Sequence, residues 1–304
     1  MSVPFFLTID TEGDNIWDRP NIIKSTNVEK LYKFQELCNK YNIKPIYLTN
    51  YEASINKEFQ RFAEINRRNL EIGLHLHAWN SPHSYNLTGN DYKYQPYLHE
   101  YPNEIIKNKI DYMMKNLENT FQTNIISHRG GRYSIDNSIL KILHDYGIKI
   151  DCSVVPGYDW TSSLGNPQGN GGPDFRLSTR NKYYIYKDIL EIPVSTFTVS
   201  KYLNKISEKN LARRVFSKLF SYKNLMLRSK VNNLDELKKV VEWNLLNQCT
   251  HLDYIIHSSE LTHGTSHLLK NEEDEKIFYD NLEIFFMYLS NKKIESMTFK
   301  EYIS

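Results

Sequence analysis

Short apolar segments alternate with longer segments of helical periodicity along almost the whole chain, and this alternation is what most restricts the fold. The apolar segments are residues 3–9, 44–48, 70–76, 124–127, 148–155, 190–199 and 254–256. The helical segments are residues 27–41, 59–66, 102–121, 135–146, 234–249 and 272–289. Strands that alternate with helices favour a parallel sheet. Because no change in composition resembles a linker, we predict one α/β domain over residues 1–304 with a barrel-like parallel sheet.

Length, charge and cysteine content exclude several classes of protein. The chain has 304 residues, enough for one large domain, and a formal net charge of only +2, which does not favour nucleic acid as a partner. The three cysteines, Cys38, Cys152 and Cys249, form no CxxC pair, so we expect neither a disulfide framework nor a thiolate zinc site. The N-terminal residues lack a signal-peptide pattern and no apolar run is long enough to span a membrane, which favours a cytoplasmic location.

Two histidines, His75 and His77, stand at the end of the apolar segment 70–76. Side chains two residues apart on a strand point to the same face, so both imidazoles can reach one metal ion. Open zinc sites use three protein ligands and a water molecule. The alternative is two separately hydrogen-bonded histidines, and a carboxylate cluster after another strand weighs against it.

That cluster is Asp10-Thr11-Glu12-Gly13-Asp14, which directly follows the apolar segment 3–9. Carboxylates so close together repel one another unless a cation or a proton intervenes. One interpretation is a solvated loop in which Asp14 caps a turn. Because Asp10 comes directly after a buried strand, where an unpaired acid is poorly solvated, a metal together with an arginine is the better explanation.

Three further strand ends carry charged or titratable residues. Arg129 and Arg132 flank two glycines; a guanidinium can hold a carboxylate through two hydrogen bonds, and glycine lets the backbone approach a substrate closely. A surface salt bridge is the alternative for each arginine. His257 ends an apolar segment and suits a general acid, since the reference pKa of histidine is about 6.5. Asp151, at another strand end, is a candidate to orient that imidazole.

Taken together, five segments of the chain resemble the motifs of the polysaccharide deacetylase family, the NodB-homology or carbohydrate esterase family 4-like proteins. The resemblance is closest to the branch found in surface-polysaccharide gene clusters. The segments are LTIDTEGD (7–14), EIGLHLHAW (71–79), HRGGRY (128–133), DCS (151–153) and IHSSEL (256–261), and they follow the family's order. Each motif alone is a weak signal, but five in order are specific.

The resemblance implies a distorted (β/α) barrel with about seven parallel strands and hydrolysis of an N-acetyl or O-acetyl group on a sugar. It implies that Asp10 is the catalytic base, that Arg129 orients it, and that His257, supported by Asp151, is the general acid. The implied ligands of a divalent metal are Glu12, His75 and His77, with Zn²⁺ expected and Co²⁺ or Ni²⁺ as alternatives. The residues expected to contact the substrate are Asp14, Trp79, Arg132, Tyr133 and Glu260.

Two departures from the family's pattern leave alternatives open. The first motif of the family has two adjacent aspartates, whereas Thr11 and Glu12 follow Asp10 here, so Asp10 or Asp14 is an alternative metal ligand. The family's histidines are four residues apart, whereas those of this chain are two apart. A catalytically silent carbohydrate-binding relative is therefore one alternative function. A metal-dependent amidohydrolase acting on a non-sugar amide is another, because the same barrel and metal chemistry serve both.

Residues 201–230 form a basic segment with nine lysine or arginine residues and one acid, Glu208. We expect a helical insertion there. Peripheral contact with the inner membrane is one interpretation, and a solvated helix packed on the barrel is the alternative. The cytoplasmic location expected above indicates an amino sugar linked to a nucleotide, a lipid or a growing O-antigen or capsule chain as the carbohydrate substrate.

Overall fold

The computed structural model describes residues 3–18, 20–163, 171–199 and 223–304. The strands are β1 (Phe5–Thr11), β2 (Pro45–Thr49), β3 (Glu71–Leu76), β4 (Ser127–Gly130), β5 (Ile150–Asp151), β6 (Tyr183–Tyr186), β7 (Ile189–Glu191), β8 (Thr196–Val199), β9 (Lys223–Met226) and β10 (Leu252–His257). The α-helices are α1 (Tyr32–Lys40), α2 (Tyr51–Ile55), α3 (Lys57–Asn66), α4 (Asp91–Tyr94), α5 (Asn103–Phe121), α6 (Asn137–Asp145), α7 (Leu234–Leu246), α8 (Glu272–Asn291) and α9 (Phe299–Ile303). Short 3-10 helices are Ile16–Asp18, Thr26–Lys30, Leu98–Glu100, Gly131–Tyr133 and Ser258–Glu260.

Eight strands form one curled sheet in the order β10-β1-β2-β3-β4-β5-β7-β6. Seven of these strands are parallel, and β6, at the edge, is antiparallel to its neighbour β7. Strands β8 and β9 form a separate antiparallel pair. This half-barrel confirms the predicted distorted (β/α) barrel, because helices follow most of its parallel strands and cover the outside of the sheet.

Irregular backbone bridges the gap between β7 and β10. Ser195 N–H donates to the carbonyl of Asp253 at 3.1 Å, and Leu227 N–H donates to the carbonyl of Ser195 at 2.8 Å. The carbonyl of Leu227 accepts from Ile255 N–H at 3.0 Å. These bonds satisfy backbone N–H and carbonyl groups along the edge of β10, which would otherwise need a further strand as a hydrogen-bond partner. The continuous strand predicted over residues 190–199 is therefore wrong, since the residues between β7 and β8 form this bridge instead.

Side chains of β1 alternate between two layers of the core, as the strand period requires. Leu7 and Ile9 belong to the large cluster between the sheet and the helices. Phe6 belongs to the cluster inside the barrel, where its ring centroid lies 4.8 Å from that of Phe299 in α9. Asp10 lies further along the same inward face, so it stands at the carboxyl end of the barrel while Phe299 packs near the amino end.

None of the described helices is long and apolar enough to cross a membrane. Most of the basic segment 201–230 lies outside the described residues, and so does most of the helix predicted there. The structure describes the segment from residue 223 onward, and this part begins with strand β9, so the helical prediction is wrong for it.

Candidate metal centre

The carboxyl ends of four parallel strands bring the chemically informative residues together. Asp10 on β1 pairs in register with His257 on β10, and His75 on β3 pairs in register with Arg129 on β4. All four residues are buried. These strand ends meet at one end of the barrel, because parallel neighbours place their carboxyl ends at the same edge.

Glu12, His75 and His77 form a cluster whose possible ligand atoms all lie within 4.8 Å of one another. His77 Nε2 lies 2.9 Å from Glu12 Oε2, and the two histidine Nε2 atoms are 3.1 Å apart. The second oxygen, Glu12 Oε1, is buried and has no hydrogen-bond partner among the described residues. Two imidazole nitrogens and a carboxylate are a donor set that Zn²⁺ and similar ions prefer, so these residues fit a divalent metal.

The pKa shifts of Glu12 and His77 suit metal binding, which requires neutral imidazoles and an ionised carboxylate. The shift of His75 does not, because burial lowers its pKa but Asp10 and Glu12 raise it above its usual value. Burial raises the pKa of Glu12, but the charge of His257 and hydrogen bonds with His75 and His77 lower it by more. The pKa of Glu12 therefore lies well below its usual range. Burial lowers the pKa of His77, and the hydrogen bond with Glu12 only partly offsets this effect. Glu12 is therefore ionised and His77 neutral at pH 7.

Contacts with the backbone and with Trp79 hold the two imidazole rings in place. His75 Nδ1 lies 2.9 Å from the carbonyl of Arg129, which can only accept, so Nδ1 donates and Nε2 is free to ligate. His77 packs against Trp79, with ring centroids 4.3 Å apart. A Cβ on Gly131 would overlap the His77 ring and lie 2.7 Å from the carbonyl of Leu76. Gly131 is thus required so that the chain after β4 can pack against His77.

Arg129 lies fully buried inside the barrel and fixes Asp10. Its guanidinium donates to Asp10 Oδ1 at 2.8 Å, to Asp253 Oδ2 at 3.0 Å and to the Thr8 hydroxyl at 2.8 Å. Burial raises the pKa of Asp10, but Arg129, together with His75 and His257, lowers it below its usual value. Asp10 is therefore a carboxylate at neutral pH, with one oxygen held by Arg129.

Asp253 completes this ion pair and was not among the sequence candidates. Burial raises the pKa of Asp253 to about 7, although Arg129 and the hydrogen bond from Thr8 oppose the shift. The sequence signal for this residue is an acid within the apolar segment Leu252–His257. Burying an acid is costly unless a cation or a hydrogen bond satisfies it, so such an acid is expected to have a partner.

His257 is oriented by Glu260 and Arg228. Its Nδ1 lies 3.1 Å from Glu260 Oε2 and 3.0 Å from the Arg228 guanidinium. Burial raises the pKa of Glu260, but Arg228 and His257 lower it to about 2, so Glu260 is a carboxylate. The other ring nitrogen, His257 Nε2, lies 3.6 Å from Asp10 Oδ2 and 3.9 Å from Glu12 Oε1. His257 thus presents Nε2 to the candidate metal centre.

The prediction that Asp151 supports His257 is wrong. Asp151 pairs in register with His128 on the neighbouring strand β4, and His128 Nδ1 lies 2.6 Å from its carboxylate. Ser153 donates to the same carboxylate through its backbone N–H and its hydroxyl, each at 3.0 Å. Burial raises the pKa of the adjacent Glu191 far above its usual range, and Asp151 adds to the shift. Asp151 therefore belongs to a buried network with His128, Ser153 and Glu191.

Asp14 lies outside the metal centre. Its carboxylate accepts from the backbone N–H groups of Thr26 and Asn27 at 3.0 and 2.9 Å, and from both of their side chains. It does not line the cavity described below. The structure therefore gives Asp14 a role in ordering the loop after β1, and the alternative that it replaces Glu12 as a ligand is wrong.

A cavity of about 360 Å³ opens over the metal centre. Of the residues expected to contact the substrate, Trp79, Arg132 and Tyr133 line it, whereas Glu260 does not and lies beside His257 instead. The described residues that line it are Asp10, Glu12, Ile16, His75, His77, Trp79, Tyr92, Tyr97, Arg132, Tyr133, Trp160, Ser163 and His257.

Two stacked aromatic pairs stand in this lining, and each contains one residue that the motifs did not indicate. Trp79 stacks on Tyr92, with ring centroids 4.5 Å apart and ring planes at 13°. Tyr133 stacks on Trp160, with corresponding values of 4.9 Å and 24°. Tyr92 lies in helix α4 and Trp160 in the loop after β5, both outside the five motifs, so only the fold places them here. Apolar ring faces around a few charged groups are typical of a small-molecule site.

Known structures share this fold at low sequence identity. A 4-alpha-glucanotransferase from Thermococcus litoralis is 17% identical, with a TM-score of 0.55 over 99% of this chain and 40% of that chain. A Mycobacterium smegmatis protein provisionally assigned as a polysaccharide deacetylase is 10% identical, with a TM-score of 0.51 over 98% of this chain and 94% of that chain. A CE4 family pseudoenzyme from Bacillus anthracis is 11% identical, with a TM-score of 0.48 over 100% of this chain and 66% of that chain.

No family model matches the sequence, and no curated protein matches it. The structural likeness confirms the expected resemblance to polysaccharide deacetylases at the level of the fold. Because the same fold also occurs in the glucanotransferase, the fold alone does not select a reaction, and the function must be argued from the site.

Proposed function

We propose that this protein is a metal-dependent hydrolase of the polysaccharide deacetylase family that removes an N-acetyl, or an O-acetyl, group from a sugar. The observation that supports this proposal is the juxtaposition of a Glu-His-His donor set with a carboxylate and an imidazole in one cavity. The proposed metal is Zn²⁺, held by Glu12, His75 and His77. When bound, it would supply Lewis acidity toward a water molecule and toward the carbonyl oxygen of the acetyl group.

Asp10 acts as the general base in this scheme. Arg129 occupies Asp10 Oδ1, which leaves Oδ2 to accept a proton from the attacking water. Because Arg129 also keeps the pKa of Asp10 low, the carboxylate is ionised at neutral pH and ready to accept that proton. Its buried ion pair with Arg129 keeps the accepting oxygen in one position.

His257 acts as the general acid. Glu260 and Arg228 both lie at Nδ1, so Nε2 is the nitrogen that reaches the reacting group. His257 Nε2 donates its proton to the leaving amine, or to the leaving oxygen of an ester, and free acetate and the deacetylated sugar result. The stacked aromatic pairs Trp79–Tyr92 and Tyr133–Trp160 favour a sugar ring over a small polar amide as the substrate. The proposed source of that sugar is a precursor of a surface polysaccharide.

The test combines metal content with acetate release. The protein is purified without chelators, its metal is measured by mass spectrometry, and acetate release is followed on a panel of N-acetylhexosamines and small cyclic amides. We expect about one bound metal per chain, lost in Glu12→Gln because one of three protein ligands is removed. We expect Asp10→Asn to keep the metal and lose roughly 10²–10⁴-fold in kcat, since the base is removed.

Asp280→Asn is the matched control, because it makes the same change at a carboxylate that is 57% exposed and outside the cavity, and should keep both metal and activity. A metal-loaded wild type that releases no acetate from any sugar would contradict the proposal. Failure to bind metal even with added Zn²⁺ or Co²⁺ would instead support a silent carbohydrate-binding protein. Turnover of the cyclic amides alone would support an amidohydrolase of non-sugar amides.

A further inference from the structure

Arg132 lines the same cavity and has few partners of its own. Its guanidinium carbon lies 5.0 Å from the ring centroid of Tyr97, and its one described hydrogen bond runs from NH2 to the Tyr97 hydroxyl at 3.5 Å. The Nε atom is buried and has no hydrogen-bond partner among the described residues. A guanidinium presents several N–H donors in a planar fork, so most of the donors of Arg132 have no partner among the described residues.

The other arginines near the centre are paired with carboxylates. Arg129 is hydrogen-bonded to Asp10 and Asp253, and Arg228 is hydrogen-bonded to Glu260. Arg132 forms no ion pair with any carboxylate that the structure describes. Partly buried cations are usually paired, because desolvation is costly. Within the described part of the cavity wall, Arg132 is therefore the cation that lacks an anion.

The backbone fixes Arg132 next to the metal centre. Gly131 packs directly against the ring of His77, so the next residue cannot move far from the proposed ligands. Arg132 and Tyr133 both have left-handed backbone angles, with φ of 54° and 59°. Non-glycine residues adopt this region at a cost, and such strain is concentrated at functional sites. The chain thus keeps an arginine in a position where the backbone would favour glycine.

We propose that Arg132 binds an anionic group of the substrate, a carboxylate or a phosphate, while the acetylated position of the same sugar lies over Glu12, His75 and His77. A guanidinium binds either group through paired hydrogen bonds. The class of substrate is then an acetylated sugar that carries a negative charge. This inference rests on the proposed function for the position of the acetyl group, but the binding of the anion is measured without turnover.

Trp79 and Trp160 in the cavity wall give a direct binding signal. Quenching of tryptophan fluorescence in the zinc-loaded protein is titrated with three probes: N-acetylglucosamine, its 6-phosphate and its uronic acid. We expect at least one of the charged probes to bind tenfold or more tightly than the neutral sugar, and this preference to fall as salt is raised, because screening weakens the contact. The tighter of the two charged probes identifies the anion as phosphate or carboxylate.

Arg132→Gln should lower the affinity for the preferred charged probe at least tenfold. It should leave the affinity for the neutral sugar within about twofold of the wild-type value. Arg132→Lys should retain part of the preference, since it keeps the charge and loses the fork. Arg67→Gln, which changes an arginine whose side chain is 69% exposed, is the matched control and should change none of the three affinities. If Arg132→Gln does not fold, Arg132→Lys and the salt dependence of the wild type still test the inference.

Equal binding of neutral and charged probes by the wild type, or no measurable binding of either charged probe, would overturn this role of Arg132. Equal weakening of all three probes in Arg132→Gln would also overturn it, because it would show that Arg132 only supports Tyr97. Acetate release from each of the three probes is measured alongside. A charge preference without acetate release would refute the proposed function alone, and acetate release without a charge preference would refute the role of Arg132 alone.

Discussion

Replacing Arg129 by methionine should destabilise the protein strongly, because this side chain neutralises two buried acids at once. The structure gives the guanidinium four hydrogen-bond acceptors: Asp10, Asp253, the Thr8 hydroxyl and the carbonyl of Cys152. Removing one partner of a buried ion pair costs roughly 3–5 kcal/mol. The variant also leaves a buried carbonyl and hydroxyl without their donor, so we expect a loss near the upper end of that range.

Urea unfolding at pH 7 in the presence of EDTA measures this loss without any contribution from bound metal. Lys276→Ala is the control, since the Lys276–Asp280 ion pair has side chains 76% and 57% exposed. An exposed pair of this kind contributes at most about 1 kcal/mol. If Arg129→Met costs no more than Lys276→Ala, the buried ion pair does not hold the barrel end as described.

The pH dependence gives a second readout of the same substitution. In the wild type, the pKa of Asp253 is about 7, above its usual value of 3.8, so its ionisation lowers stability as pH rises between these values. The pKa of Asp10 is lowered, so Asp10 contributes stability above its unfolded pKa, and this is lost as pH falls through the lower folded value. Without Arg129 the pKa of both carboxyls rises. The destabilisation by Arg129→Met should therefore grow from pH 4 to pH 8, and a constant difference would refute this account.

Three further substitutions test other parts of the site. Gly131→Ala should lower zinc affinity about tenfold or more in competition titrations, because the new methyl group displaces the ring of His77. Gly89→Ala is the control and should not change zinc affinity, because no atom lies within 4 Å of the position that its methyl group would take. Glu260→Gln should lower kcat by about 10–100-fold and leave metal content unchanged, because the imidazole loses its orienting charge; an unchanged kcat would show that the carboxylate does not orient it. Asp151→Asn should lower the free energy of unfolding by about 1–3 kcal/mol and leave kcat per folded molecule unchanged, because its network lies away from the cavity.

The choice between Asp151 and Glu260 shows what residue patterns could not decide. Both are acids in the motifs, and the resemblance assigned Asp151 to His257. Sheet order places β10 next to β1, whereas β5 lies beside β4, so the carboxylate of Asp151 meets His128 instead. Glu260 reaches His257 because a short 3-10 helix follows β10 and turns the chain back on the strand end. Which strands are neighbours is a long-range property that no local pattern contains.

By itself, the sequence determined the alternation of strands and helices, and with it the barrel, because each amphipathic segment must bury one face. It also determined that His75 and His77 share a face, since the strand period of two is local, and that Glu12 stands close to Asp10. Only the tertiary structure decided which acids and cations become partners. Arg129 reaches across the barrel to Asp10 and Asp253, and Arg132 has no anion within the part of the chain that the structure describes. The physical reason is that burial makes pairing obligatory, while the fold decides which partner is within reach.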